Sequence, residues 1–159
     1  MADLATTYYL KAKDSYPYDL EETFESLSYA LSYNENHAAS HCLMGRFYAE
    51  QAQDINESIY HFEQALIHDM NYIDTYYFYA DTLIKYNEFE RVERLLKYAK
   101  SVKGICLSCL LQRKALMKEK QGKLVKAKKL LTKAKTISTN NGEISFIDEE
   151  LKRIKNKLK

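Results

Sequence analysis

The sequence contains one cysteine pair whose type and spacing could support redox or metal chemistry. Cys106 and Cys109 form a CxxC pattern, which is redox-active when a helix N-terminus stabilises the thiolate, usually in a thioredoxin-like βαβ fold. No strand pattern surrounds this pair. A zinc site would need two further ligands, and no second CxxC or suitably spaced histidine pair follows. We therefore interpret both cysteines as small residues near a helix contact and predict no metal site and no cofactor.

Two histidines also have a spacing that can bind a metal ion. His37 and His41 are four residues apart on a predicted helix, with Cys42 adjacent. Two ligands alone bind weakly, and no carboxylate partner is evident, so we do not predict a site here. His61 and His68 have the pattern of helix-surface residues.

No catalytic signature accompanies these residues. The sequence has no phosphate-binding loop, dinucleotide fingerprint or nucleophile elbow. Its four glycines leave little backbone for a phosphate cradle. We predict that the protein is not an enzyme.

Charge is distributed unevenly along the chain. Residues 1–80 hold 3 Lys/Arg against 13 Asp/Glu, whereas residues 81–159 hold 21 against 9. Sixteen of the 20 Tyr and Phe residues lie in the first 80. The two halves therefore present an acidic, aromatic surface and a basic, aliphatic one. The acidic half of one copy could meet the basic half of another, head to tail, in a homo-oligomer. The other two interpretations of the charge asymmetry are a solvated basic surface and a surface that binds an acidic partner.

The densest basic stretch, residues 118–135, could bind nucleic acid phosphates, an acidic membrane surface or an acidic protein. Its lysines scatter around the predicted helix, however, and no aromatic residues are interleaved to stack on bases. We favour a solvated face and keep electrostatic binding as the alternative.

Composition favours an all-helical protein. One proline and four glycines are too few for the frequent turns of sheets and sandwiches. No apolar stretch approaches the ~20 residues that span a membrane, and the first residues lack a secretory signal pattern. The odd number of cysteines, three, fits a reducing compartment. We predict a cytoplasmic location.

A period of about 34 residues runs through the chain. Aligned alanines recur at spacings of 35, 34 and 35, and a large apolar residue precedes each by three positions. That spacing places both side chains on one helical stripe. The aligned pairs are Leu27/Ala30, Phe62/Ala65, Leu96/Ala99 and Leu131/Ala134.

Three of these helices begin with an apparent capping box, in which Asp or Asn precedes Glu by three residues. The boxes are Asp19/Glu22, Asp54/Glu57 and Asn87/Glu90, and the fourth helix follows Gln121 and Gly122. Another apolar-periodic segment lies before each helix, at about 3–15, 37–52, 72–86 and 105–121. The unit is therefore a helix–turn–helix, repeated four times.

The pattern of large and small residues resembles the tetratricopeptide repeat (TPR) family over residues 3–138. Repeat 2 matches with one extra residue in its turn, and repeats 3 and 4 match as well. Repeat 1 is the weakest, since Leu10 and Lys11 occupy its large and small positions. The matching residues of repeats 2 to 4 include Met44, Gly45, Phe62, Ala65, Tyr76, Tyr79, Ala80, Leu96, Ala99, Leu111, Ala115, Leu131 and Ala134.

The resemblance implies an all-α, right-handed solenoid of about four repeats in one domain, residues 1–159. The repeats would span about 3–36, 37–71, 72–104 and 105–139. After a break at 138–142, residues 143–158 place apolar side chains on one stripe with charged residues elsewhere. We predict a capping helix there, which would cover the open face of the last repeat.

The resemblance also implies which side chains face the concave groove where TPR ligands often lie. In the aromatic run at 76–79, it places Tyr76 and Tyr79 in the core and Tyr77 and Phe78 in the groove. The alternative is that the groove rings pack on neighbouring helices. The predicted partner-binding residues are Tyr8, Tyr9, Leu43, Arg46, Tyr77, Phe78, Asp81, Lys85 and Arg113, and the same register places Ala5, Ala12 and Cys42 in the groove.

The resulting functional prediction is a non-catalytic module that binds a peptide or helix of a partner protein. Exposed rings give a large contact area, and a few charges fix orientation. The alternative is an electrostatic binder of nucleic acid, or of an acidic membrane or protein surface, through the basic C-terminal half.

Overall fold

The computed structural model describes residues 1–159 and is entirely helical. It has no strand, as predicted, and no helix that is both long and apolar enough to cross a membrane. The helices are α1 Leu4–Ser15, α2 Leu20–Tyr33, α3 Ala38–Phe47, α4 Ile55–His68, α5 Ile73–Lys85, α6 Phe89–Ala99, α7 Leu107–Lys120, α8 Leu124–Ile137 and α9 Asn141–Lys157, with a π-helical segment at Tyr48–Ala52.

The chain divides into two compact units, Met1–Thr82 and Leu83–Lys159. In the first unit α1 packs on α2, and α3 packs on α4. Their contacts centre on small and large apolar residues that interdigitate, as the period requires. One buried cluster consists of Ala12, Tyr16, Leu27, Leu43 and Met44.

The register predicted for repeat 1 is wrong by one residue. Ala12 is fully buried, whereas Leu10 is 46% exposed. Ala12 therefore takes the small-residue position that was assigned to Lys11. Because one residue turns a helix face by about 100°, the shift also moves Ala5 from the groove into the core.

Asp19 and Asp54 cap their helices as predicted, but the reciprocal bond of a capping box does not form, because their own amides donate to the carbonyls of Ser15 and Tyr48. The Asp19 carboxylate accepts a hydrogen bond from the Glu22 amide at 2.9 Å. The Asp54 carboxylate accepts from the amides of Asn56 and Glu57, both at 3.1 Å. These amides would otherwise lack a partner in the first turn of their helices.

The third capping box, at Asn87, is wrong. Asn87 has a φ of 64° and ends α5 instead of starting α6, which has Glu88 as its N-cap. The Glu88 amide donates to the Leu83 carbonyl, and the Asn87 amide donates to the Ile84 carbonyl. This is a Schellman motif, and asparagine tolerates its left-handed position. Gly122, with a φ of 74°, ends α7 in the same way.

This contrast predicts unequal capping effects in α4 and α6. Asp54→Ala is expected to lower the free energy of unfolding by about 1 kcal/mol, because two helix amides lose their acceptor. Glu88→Ala should change it by less than about 0.5 kcal/mol, since Glu88 makes no side-chain cap bond. Urea denaturation followed by circular dichroism measures both. Equal losses in the two variants would contradict the assignment.

The π-helical segment takes up the extra residue in the turn of repeat 2. The Tyr48 carbonyl accepts from the amides of both Gln53 and Asp54. Gln53 has a φ of 55°, which ends the segment. The next helix, α4, then begins in register with its own capping residue.

In the second unit α7 packs on α8, and α8 packs on α9. The Glu119 carboxylate on α7, only 6% exposed, binds Arg153 and Lys157 of α9, the latter at 2.6 Å. α9 begins two residues before the predicted capping helix and buries its apolar stripe. The shared core consists of Ala115, Ala127, Leu131, Ala134, Ile147, Leu151 and Ile154.

Candidate functional site

The structure brings together two predicted site residues of the first unit, Arg46 and Phe78. The Arg46 guanidinium carbon lies 3.9 Å from the centroid of the Phe78 ring and 5.1 Å from that of Tyr16. Its Nε donates to the Glu50 carboxylate at 3.2 Å. We call Tyr16, Arg46, Glu50 and Phe78 the Arg46 cluster. Stacking on two rings fixes the direction of the cation.

Tyr16 also binds the Glu50 carboxylate of this cluster. Its hydroxyl donates to the second oxygen of Glu50. Burial, together with the bond to Glu50, raises the pKa of Tyr16 to about 12. The phenol therefore stays protonated and holds the Glu50 carboxylate against Arg46. Tyr16 is not among the predicted partner-binding residues, since repeat 1 is the weakest match to the repeat pattern.

The aromatic run divides as the register predicts. Tyr76 is fully buried, with its hydroxyl donating to the Met70 carbonyl at 2.7 Å. Tyr79 is buried and stacks on Phe62 with ring centroids 5.2 Å apart. Tyr77 and Phe78 are half-buried. Asp81, also a predicted contact, lies one turn further along α5 and is exposed.

Tyr8 and Tyr9 pack on neighbouring side chains. The Tyr8 ring stacks on Tyr33 at 5.7 Å and lies 5.2 Å from Tyr29, so it covers α2 of its own repeat. The Tyr9 hydroxyl forms a 3.2 Å hydrogen bond with that of Tyr72. Both rings remain half-buried.

Leu43 and Cys42 are wrongly assigned to a partner-binding surface. Leu43 is only 6% exposed and lies in the core with Leu27 and Met44. Cys42 is buried, and burial raises the pKa of its thiol to about 12. Neither side chain is accessible to a partner, because α3 is buried on more of its circumference than one apolar stripe would require.

The buried histidines form a pair that the sequence did not indicate. His61 is buried, so its prediction as a surface residue is wrong, and its Nδ1 lies 2.9 Å from Nδ1 of His41. His37 is the N-cap of α3 and accepts from the Ser40 amide, so it does not join His41 on a helix face. Burial lowers the pKa of His41, and it lowers that of His61 to about 4.

In the second unit the predicted contacts Lys85 and Arg113 differ in exposure. Lys85 is exposed, with Nζ 5.4 Å from the ring centroid of Tyr86. Arg113 is half-buried and donates to the Cys109 carbonyl at 3.3 Å. Lys120 donates to the carbonyls of Ile84 and Lys85 at the end of α5.

Lysines from three helices surround an apolar cavity of about 560 Å³ in the second unit. Within each helix these lysines are scattered, so the sequence of a single segment gives no sign of this convergence. Glu93, at the edge, binds Lys114 at 3.4 Å and Lys118 at 2.8 Å. The apolar lining is Leu96, Leu107, Leu110, Leu111 and Ile137, and the cationic lining is Arg94, Lys97, Lys100, Lys114 and Lys133.

Cys106 and Cys109 form a disulfide at the start of α7, so their interpretation as packing residues is wrong. Cys106 is the N-cap, and its sulfur accepts from the Cys109 amide at 3.2 Å. The Glu143 carboxylate of α9 lies beside both sulfurs. Burial opposes its ionisation, but donors including Ser108 and Gln112 hold the pKa of Glu143 below its usual value.

No protein-family model matches the sequence, and no curated protein sequence matches it. The fold is similar to that of PilF from Pseudomonas aeruginosa, a TPR-containing protein, with a TM-score of 0.76 and 15% sequence identity. The match covers 94% of this chain and 70% of that chain. It confirms the α-solenoid class and supports a TPR-like helical repeat fold. At this identity the likeness shows the fold alone.

Proposed function

We propose that this chain is a non-catalytic protein-interaction module that binds a peptide or helix through the face of α3 and α5 carrying the Arg46 cluster. The observation that carries the proposal is the guanidinium held over Phe78 and Tyr16. A partly buried aromatic platform with a fixed cation has the composition of an interface hot spot. Little side-chain entropy remains to be lost on binding.

The surrounding charges indicate the chemistry of the partner. Glu50, Asp74 and Asp81 are exposed carboxylates on the π-helical segment after α3 and on α5, and residues 1–80 hold ten more acidic than basic residues. Charge complementarity therefore favours a segment with Lys or Arg beside apolar anchors. Its apolar side chains would contact Tyr77 and Phe78. Its cations would reach the carboxylates, while Arg46 would bind a backbone carbonyl or an acidic group.

The predicted contacts Tyr9, Lys85 and Arg113 extend this proposal but do not carry it. Tyr9 keeps a half-buried ring, whereas Tyr8 is assigned to packing on α2. Lys85 and Arg113 belong to the second unit. A cytoplasmic location stays a prediction.

The cavity with five cationic lining residues supports a second candidate function, binding of an acidic ligand by the basic half. Its apolar lining suits an acidic protein segment with an aliphatic side chain better than a nucleic acid, since no aromatic residue lines it. The acidic half of a second copy would be one such partner.

The test is affinity capture from native lysate, followed by titration of the captured protein against purified variants. Tyr77→Ala/Phe78→Ala is expected to weaken binding about 30-fold, because loss of a hot spot removes about 2 kcal/mol or more. The matched control is Tyr29→Ala/Tyr33→Ala, which removes two partly exposed rings from α2 and should leave affinity unchanged. Circular dichroism confirms that both variants remain helical.

A salt series on the same complex separates the two candidates. Affinity that persists from low to high salt and depends on the rings supports the α3/α5 face. Affinity that falls steeply with salt and is insensitive to the ring variant would contradict it and favour the basic half. Lys97→Ala/Lys133→Ala would then abolish binding.

A further inference from the structure

Three possible metal ligands converge where α7 and α9 begin. The sulfurs of Cys106 and Cys109 and a carboxylate oxygen of Glu143 all lie within 4.8 Å of one another. All three residues are half-buried and line a cavity of about 720 Å³. Two thiolates and a carboxylate are ligands that zinc accepts. Glu143 supplies one of the two further ligands that a zinc site needs, and a water molecule would take the fourth position.

With the disulfide intact, the distances from Glu143 to the two sulfurs are already close to those between ligands of a tetrahedral zinc site. With Zn–S bonds of about 2.3 Å and a Zn–O bond of about 2.0 Å, sulfur and oxygen ligands lie about 3.5 Å apart. The Glu143 oxygen lies 3.5 Å from the Cys109 sulfur and 3.8 Å from the Cys106 sulfur. Reduction of the disulfide frees both sulfurs to move to the spacing of two zinc-bound thiolates, about 3.8 Å.

Cys106 lies at the N-terminal end of α7, where the helix presents its amides to the proposed site. Cys106 caps α7, so its sulfur faces the free amides and positive dipole end of the helix. No acidic residue lies in the first turn of α7. Arg113 lines the same cavity and offsets the negative charge that two thiolates and a carboxylate would leave around a divalent ion.

Hydrogen bonds already hold the Glu143 carboxylate in place. Oε1, the oxygen nearest the sulfurs, accepts from the Ser108 hydroxyl at 2.6 Å and from the Gln112 amide at 2.7 Å, so zinc would take the place of one of these two donors. The other accepts from the Ser138 hydroxyl. Donors of this kind orient a carboxylate ligand and tune its affinity for a metal.

We propose that the reduced chain binds one zinc ion through Cys106, Cys109 and Glu143. The Cys106–Cys109 disulfide first takes up two electrons and two protons from two thiols of a reductant and becomes two thiols, while the reductant is oxidised to a disulfide. Zinc then binds both sulfurs and releases the two thiol protons. The ion joins the start of α7 to the start of α9, so it fastens the last helix. Oxidation of the cysteine pair by a small disulfide, which is reduced to two thiols, releases the ion.

The experiment is a zinc titration of the full chain, reduced by a phosphine under anaerobic conditions, against a chromophoric chelator. The reduced wild type is expected to bind one zinc per chain, and the oxidised chain none. Cys106→Ser or Cys109→Ser should lower affinity more than about 100-fold, and Glu143→Gln at least about tenfold, since even outer-shell changes reach these factors. Cobalt substitution should give a thiolate-to-cobalt charge-transfer band that the cysteine variants lack.

Two matched variants control for non-specific effects. Cys42→Ala removes the remaining thiol, and Glu149→Gln neutralises an exposed carboxylate on the same helix as Glu143. Both should bind zinc like the wild type. A reduced wild type that takes up no zinc overturns the proposal. So does uptake that is unchanged in Cys106→Ser or Glu143→Gln.

Discussion

Replacing Phe62 with alanine is expected to lower the free energy of unfolding by about 3–5 kcal/mol, the range for a large core aromatic. The ring is fully buried and stacks on Tyr79 of the next repeat. On its other side it meets Gly45, where a Cβ would lie 2.9 Å from the ring. Phe62 therefore joins α4 to both α3 and α5, and these helices cannot close the space around an alanine without moving together.

Urea denaturation monitored by circular dichroism measures this loss. Tyr60→Ala is the matched control, because Tyr60 lies on the same helix and is 52% exposed. It should change stability by less than about 1 kcal/mol. A loss from Phe62→Ala as small as that of the control would show that the ring does not join the helices.

A double-mutant cycle that combines Gly45→Ala with Phe62→Ala tests the contact between these two residues directly. In the wild type the new methyl group overlaps the Phe62 ring, and this opposes the gain of about 1 kcal/mol that alanine brings to a helix. In the Phe62→Ala background the overlap is gone, so Gly45→Ala should stabilise. Additive effects would contradict direct packing between these residues.

Acidification from pH 7 to pH 5 is expected to remove about 2 kcal/mol of stability through His61, given the ~1.4 kcal/mol that each pKa unit represents. Burial lowers the pKa of His61 to about 4 in the folded chain, so the unfolded chain binds the proton more readily. The stabilisation is complete above the unfolded pKa of about 6.5 and is lost as pH falls toward 4. His41, also lowered in pKa, adds to the loss.

Burial is the main cause of the lowered pKa of both histidines, and the hydrogen bonds of the pair add a further obstacle to protonation of His41. Nε2 of His41 lies 2.8 Å from the Glu35 carbonyl and must donate to it. In the neutral ring Nδ1 is then the acceptor, so His61 donates from its own Nδ1 across 2.9 Å. A proton added to His41 would place two N–H groups against each other.

Unfolding free energies of wild type and His61→Gln at pH 7 and pH 5 measure this effect. Glutamine keeps an N–H donor for His41 and cannot titrate in this range. The loss on acidification should therefore be about 2 kcal/mol smaller in the variant. Equal losses would mean that the carboxylates, and not the histidine pair, set the acid sensitivity.

The sequence predicted those features that depend on local, repeated spacing. Pairs such as Phe62/Ala65 recur at nearly equal intervals, and a small residue three positions after a large one fits only one helical stripe. The division of the run at 76–79 into buried Tyr76 and Tyr79 and half-buried Tyr77 and Phe78 follows from the same register. These assignments needed no knowledge of distant contacts.

The errors lie where one residue type suits two local structures or where a contact joins distant residues. Asn87 can cap a helix start or take the left-handed position at a helix end, and the neighbouring Glu90 does not distinguish them. His41 and His61 are 20 residues apart, and Cys109 and Glu143 are 34 apart. Such pairs form only when separate helices pack together, and the sequence of one helix alone does not predict which residues will meet.

The π-helical segment at Tyr48–Ala52 allows repeat 2 to be one residue longer without changing which side chains of the next helix face the core. Repeat 2 contains one residue more than its turn requires, yet Phe62 and Ala65 are as fully buried as Leu27 and Ala30. The widened π-helical turn accommodates the additional residue while its Ala49 stays buried, and Gln53, with a positive φ, changes the direction of the chain. Insertions at this point therefore need not shift the register of the helices that follow. An array of this kind can change length at its turns and keep its core contacts.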